Sequence, residues 1–255
     1  MDMGQIVLLM VAAAGAGWID AVVGGGGLVQ LPALLVAGVP PVQAMATNKF
    51  SSVFGTASAA VTYALTTKID KRVAVPAGLA AVLLSGLGAS AVTLISKEAL
   101  IPLVMAVLVG VALFVTFRPA LGTHPRPQLG TPARTLAAIG VTGVGIAFYD
   151  GIIGPGTGTF LIIAFTVILG MDFVDGSAHS KIVNFCTNVG ALLVFGFQGE
   201  VLWLLGLGMA VCNIAGAQLG ARMALRRGAK FVRIVLLCVV AAMVAKLGYD
   251  RFLAA

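Results

Sequence analysis

Charge is what this sequence has least of. Only 10% of its 255 residues are charged, 60% are hydrophobic, and the mean hydropathy is +1.07. Soluble domains carry about 25% charged residues, so a soluble enzyme is excluded: there is too little charge to cover a water-facing surface. Cysteine and histidine are scarce too. Cys186, Cys212 and Cys238 lie in apolar runs without C-x-x-C spacing, which reads as small apolar packing. His124 and His179 belong to no H-E-x-x-H motif, so no metal site and no cofactor is expected. The run Gly24–Gly27 lacks the following Gly-Lys-Ser/Thr of a P-loop. Energy for any transport must therefore come from a gradient or another subunit. No basic region precedes the first apolar stretch, which reads as a retained span rather than a cleaved signal. The net charge of +7 could mean nucleic acid in a soluble chain. In a chain this apolar it reads as the positive-inside bias, and no nucleic-acid partner is expected.

What is present is a series of apolar runs. Ten can be read: 4–23, 27–38, 43–66, 74–95, 99–118, 134–153, 156–170, 180–198, 201–223 and 231–249. A helical span needs about 20 residues, so 27–38 and 156–170 are short; whether they cross fully is left open by length alone. Each follows a helix-breaking turn, Gly24-Gly25-Gly26-Gly27 or Gly154-Pro155-Gly156-Thr157-Gly158. Broken backbone at membrane depth is tolerated only when buried in protein or lining a cavity. One long hydrophilic stretch, 119–133, carries four prolines at 119, 125, 127 and 132.

That stretch separates two similar halves. Trp18-Ile19-Asp20 corresponds to Phe148-Tyr149-Asp150 at an offset of 130; after a two-residue slip Gly38 corresponds to Gly170, Asn48-Lys49 to Ser180-Lys181, and Gly88-Ala89 to Gly220-Ala221. The expected organisation is an all-α polytopic membrane protein: a first repeat over 1–118, a Pro-rich cytoplasmic linker over 119–133 and a second repeat over 134–255. Each repeat has about five segments. If every segment crosses, Lys68, Lys71, Arg72, Arg118, Arg126, Arg134, Arg222, Arg226, Arg227, Lys230 and Arg233 share one side, against Lys97, Lys246 and Arg251 on the other. If the short segments dip and return, the basic residues divide almost evenly. The positive-inside rule favours the first arrangement, which implies inverted repeats and both termini outside the cytoplasm.

Two basic residues remain, Lys49 and Lys181, at equivalent repeat positions. Each heads a polar stripe at i, i+3, i+7: Lys49, Ser52, Thr56 and Lys181, Asn184, Asn188. That spacing puts each trio on one helix face. Asn48, Ser51, His179 and Ser180 add polar groups, and Asp20 and Asp150 are embedded acids. A charge at the centre of a transmembrane helix costs about 2.5–3.5 kcal/mol on insertion scales and usually marks function. The bland alternatives are structural Asp–Lys pairs and lysines snorkelling from helix ends. Snorkelling does not account for Asn184 and Asn188 deeper along the helix. The favoured reading is a site for a small anion. Lys49 and Lys181 would neutralise it, and Asn48, Ser180, Ser52, Thr56, Asn184 and Asn188 would donate to it. Gly24, Gly25, Gly26, Gly27, Gly154, Gly156 and Gly158 would free helix N-termini to cradle it. Asp20, Asp150 and His179 are the candidates for H⁺ coupling. Gly216 and Gly220, in G-x-x-x-G spacing, read as helix packing.

These residues carry a resemblance. Asp20-Ala-Val-Val-Gly-Gly-Gly-Gly-Leu, Pro32-Ala-Leu-Leu and Ala46-Thr47-Asn48-Lys49 resemble the N-terminal signature of the TauE/SafE sulfite-exporter family. Phe148-Tyr149-Asp150 with its glycine turn, His179-Ser180-Lys181 and Gly216-Ala-Gln-Leu-Gly220-Ala221-Arg222 are similar to its YfcA-like members. The resemblance covers almost the whole chain. It implies a multi-pass permease of the bacterial inner membrane that exports sulfite or related organosulfur anions and is not an enzyme. A passive anion channel and a non-transporting membrane scaffold are the competing classes. The expected partners are the lipid bilayer and a small anionic substrate; a homo-oligomer is compatible with the sequence.

Overall fold

The architecture comes from a computed structural model, which describes residues 2–92 and 122–252. Among the described residues every regular element is helical. In chain order they are α1 (Met3–Val23), α2 (Gly27–Val36), α3 (Pro41–Ala64), α4 (Lys71–Ser90), α5 (Pro132–Ile152), α6 (Thr157–Leu169), α7 (Phe173–Phe197) and α8 (Trp203–Phe252). Five of them, α1, α4, α5, α7 and α8, are long and apolar enough to cross a membrane. The segment expected over 99–118 lies outside the described residues, as do Lys97 and Arg118.

Side-chain caps and left-handed glycines set the ends. Asp2 and Gln5 form a capping box on α1, and Asp70 and Asp172 accept backbone N–H bonds at the starts of α4 and α7. The Asp172 cap starts α7 seven residues before the apolar run at 180 does. Its first turns are polar, so hydropathy alone misses them. α8 is broken at Gly228, whose φ of 72° no helix interior adopts; this separates the two expected segments 201–223 and 231–249. Within α5, Gly140–Ile146 is wound as a π-helix just before Asp150, a local irregularity that often accompanies functional sites. The matching stretch of α1 is regular.

The two halves interlock. α8 lies on α1 and α3, while α4 lies on α5 and α7, so the fourth helix of each half packs on the first and third helices of the other. α3 and α7 also pack on each other. Small residues permit this closeness. A Cβ on Gly88 would strike the carbonyl of Phe148, and one on Gly220 the carbonyl of Trp18. Those two contacts exchange under the repeat offsets read from the sequence. Gly216 abuts the carbonyl of Ala14 in the same way, as its packing role requires. Among the described residues, large apolar side chains lie on the outside, and polar ones cluster within an otherwise apolar interior. Leu79, Leu83, Leu136, Leu204 and Leu219 face outward, whereas Lys49, Asp150, Lys181, Asn184 and Asn188 are buried. That distribution suits lipid as the surrounding solvent.

Candidate functional site

Lys49 is the ninth residue of α3 and Lys181 the ninth of α7. They sit two turns inside their helices rather than at the ends. Lys49 is 3% exposed and Lys181 0%, so neither ammonium snorkels. Their partners come from the opposite half. Lys49 Nζ donates to Asp150 Oδ2 at 2.6 Å. Lys181 Nζ donates to the Asp20 carbonyl and lies 3.2 Å from Asp20 Oδ2. Each lysine therefore ties the third helix of its half to the first helix of the other, and desolvation of each charge is offset by an opposite charge.

The acids have further donors. Thr157 Oγ1 donates to Asp150 Oδ1 at 2.7 Å, and Asn184 Nδ2 to Asp20 Oδ1 at 3.4 Å. Thr157, which reading the sequence missed, joins the residues around Asp150. It stands directly after Gly-Pro-Gly, where a Thr reads as an ordinary helix start; only the fold turns its hydroxyl onto the aspartate.

Between these pairs lies a small polar cleft, part of it open to solvent. Its lining includes Asp20, Asn48, Lys49, Ser52, Asp150, Thr157, Asn184 and Asn188, together with Gly24, Gly27, Gly154 and Gly158 of the two turns. Most of the expected site is thus brought together from six elements. Gly24 and Gly154 have φ of 78° and 85°, left-handed values that let the chain turn from one helix into the next. The short helices α2 and α6 start at these turns, and neither has a side-chain cap at its N-terminus. Their first N–H groups carry the positive end of the helix dipole.

Other expected residues stand apart from the lining. Thr56 Oγ1 donates to the Ser52 carbonyl of its own helix at 2.6 Å. Ser180 Oγ donates to the Gly158 carbonyl at 3.1 Å, behind the turn. His179 bridges structure: its Nε2 accepts from Asp70 N at 3.0 Å, and its Nδ1 lies 2.8 Å from the Asp175 carbonyl. Gly25 and Gly26 face packing partners, Gly25 the Val239 side chain and Gly26 the Ala16 carbonyl. Gly156 caps α6 in a left-handed conformation.

A second polar cluster, also missed, anchors α2. Asn213 Nδ2 donates to Gln30 Oε1 at 2.9 Å, and both residues are buried. Asn213 occupies space that a Cβ on Gly17 or Gly55 would fill. At the far end of α6, Arg134 donates from Nε to the Ile168 carbonyl at 2.5 Å and from its second nitrogen to the Val167 carbonyl at 2.9 Å. A cation here complements the negative end of the helix. No group of three or more His, Cys, Asp or Glu that could hold a metal occurs among the described residues.

With this geometry, residues 9–247 match the family model described as sulfite exporter TauE/SafE. The chain belongs to the TauE/SafE family. A "Probable membrane transporter protein ORF9" of a Sinorhizobium species is 37% identical over 96% of this chain and 93% of its own length. The "Probable membrane transporter protein YfcA" of Escherichia coli K12 is 34% identical over 92% of this chain and 86% of its own. A "Probable membrane transporter protein" of Haemophilus influenzae is 32% identical over 98% of both. No solved structure matches. As a TauE/SafE protein the chain is a multi-pass membrane transporter, and its relatives bear transporter rather than enzyme names.

Proposed function

We propose that the cleft is the substrate site of a secondary permease that exports small anions of the sulfite, organosulfur or sulfonate type. The observation that carries this reading is the convergence of Lys49, the amide side chains of Asn48, Asn184 and Asn188, and two helix N-termini without side-chain caps on one cleft. Helix N-termini and ammonium groups favour negative charge, and broken helices aimed at a midplane site are the device of inverted-repeat transporters. The family description, sulfite exporter, points to the same substrate class. The repeats would then be inverted, with the 119–133 linker in the cytoplasm and both termini outside it, in the cell inner membrane. Rocking of the halves about the glycine turns would open the cleft alternately. A proton on Asp20 or Asp150 would release the paired lysine to the anion, which gives H⁺ coupling.

Flux into proteoliposomes of sulfite, thiosulfate, sulfonates and carboxylates tests the reading. Uphill accumulation of at least one, lost in Lys49→Ala, is the expected result. Downhill flux alone would make the protein a channel, and no flux of any anion would sink the proposal. Reporter fusions test the topology independently: a cytoplasmic C-terminus contradicts the five-plus-five inverted arrangement.

A further inference from the structure

The cleft is an anion site with no net charge of its own. Three embedded charges line it, Lys49, Asp150 and Asp20, and a fourth, Lys181, stands behind Asp20; they cancel as two cross-half pairs. An anion entering this arrangement would add an uncompensated charge beside buried ion pairs at membrane depth, which is unfavourable. Lysine can leave its aspartate for the anion only if the aspartate loses its own charge. We propose that binding is electroneutral: each negative charge on the substrate brings one proton onto an aspartate, so a monoanion travels with one proton and a dianion with two. This rests on the anion reading above and deepens it by fixing the coupling ratio and an upper limit on substrate charge.

The proton balance is simple. A proton from water adds to a carboxylate oxygen, the ammonium pairs with the anion instead, and no other bond changes. The groups facing each acid leave few alternatives. Asp150 meets Lys49 from α3 and Thr157 from α6; Asp20 meets Lys181 and Asn184 from α7; the phenols of Tyr149 and Tyr63 act on Asp150 and Asp20 only through space. Both phenols already donate to backbone carbonyls, Tyr149 to Pro155 and Tyr63 to Ala21. His179 is engaged with Asp70 and Asp175. α2 contributes only Gly27 to the lining. Thr157 can bond the protonated or the ionised form of Asp150, because a hydroxyl donates and accepts.

The two pairs are unequal. Lys49 and Asp150 both line the cleft, whereas Lys181 is sealed behind Asp20 and also holds the Asp20 carbonyl. The first proton therefore belongs to Asp150 and the second, needed only for a dianion, to Asp20.

The test uses the full chain in proteoliposomes with methanesulfonate, a permanent monoanion, and ethane-1,2-disulfonate, a permanent dianion. Neither carries a titratable proton in the neutral range, so any proton that moves is the protein's. One pH unit across the membrane should support about tenfold accumulation of the first and about a hundredfold of the second, since each tenfold is one proton's worth of free energy. A potassium-diffusion potential alone should support none. Asp150→Asn leaves a site with one surplus positive charge, and its methanesulfonate flux should become potential-driven and lose its response to pH. Asp20→Asn likewise leaves one surplus positive charge, on Lys181, and provides the same comparison if the first variant fails to fold. Wild-type accumulation driven by potential without proton movement overturns the proposal while leaving anion transport intact. Absence of flux under either driving force, from folded protein, overturns the anion reading and the proposal with it.

Discussion

Gly24 and Gly158 touch backbone to backbone. The Cβ that either residue lacks would fall on the Cα of the other. The two broken-helix turns, one from each half, therefore meet at a point with no room for a side chain, and the cleft is built around that meeting.

Gly158→Ala should consequently do more harm than most helix alanines, which favour stability. Forcing a methyl into this contact should cost about 1–3 kcal/mol. At Gly24 the φ of 78° adds strain of about 1–2 kcal/mol. Thermal unfolding in detergent, read beside anion flux, checks both, and Gly24→Ala should be the less stable. An unchanged Tm and flux in Gly158→Ala would show that the turns can part freely.

Removing one member of a buried ion pair leaves a stranded charge. Lys49→Ala or Asp150→Ala should each cost about 3–5 kcal/mol, and the double variant less than either. Transport should be absent in Lys49→Ala and in the double variant. The combination of recovered stability with lost function separates the structural part of the Lys49–Asp150 pair from its part in the cleft. Simple addition of the two stability losses would contradict the pairing.

Gly55 is paired by shape with Asn213. A methyl at Gly55 would overlap the Asn213 carboxamide, so Gly55→Ala should displace it and strand the already buried Gln30. A loss of about 1–3 kcal/mol follows from an unsatisfied buried polar group. Asn213→Ala should partly rescue Gly55→Ala, giving a negative coupling in a double-mutant cycle. If the losses are additive, the slot between α1, α3 and α8 is looser than its geometry implies.

Arg134 holds the far end of α6. Arg134→Gln gives up charge-assisted bonds to the Val167 and Ile168 carbonyls and should lower stability by about 1–3 kcal/mol. Arg134→Lys should recover only part, because an ammonium lacks the planar fork that meets two successive carbonyls. Hydrogen exchange in α6 provides the local reading: exchange should accelerate there before it does in α7.

Much of the helix order was open to reading because lipid imposes a simple rule. Apolar runs near 20 residues must be helices, and Gly-Pro-Gly or a glycine run must break them. The starts of α3 and α7 were harder. Both open with polar or mixed turns, so hydropathy underestimates them, and Lys49 and Lys181 look closer to helix ends than they are. The stripe Lys49, Ser52, Thr56 was read as one face, yet Thr56 turns its hydroxyl onto its own backbone. Periodicity gives the face of a helix but not the rotamer or the competing local acceptor.

What the sequence determined alone is the solvent of this protein, its helical class and its four embedded charges. Each follows from composition or spacing, because the cost of charge in hydrocarbon makes such residues conspicuous wherever they occur. Tertiary structure decided who pairs with whom. That Lys49 finds Asp150 at a separation of 101 residues, that Lys181 finds Asp20, and that Thr157 and Asn184 complete the two carboxylates depends on each fourth helix lying across the opposite half. Contacts between segments so distant in the chain arise from packing of small residues at helix crossings, and no local pattern encodes them.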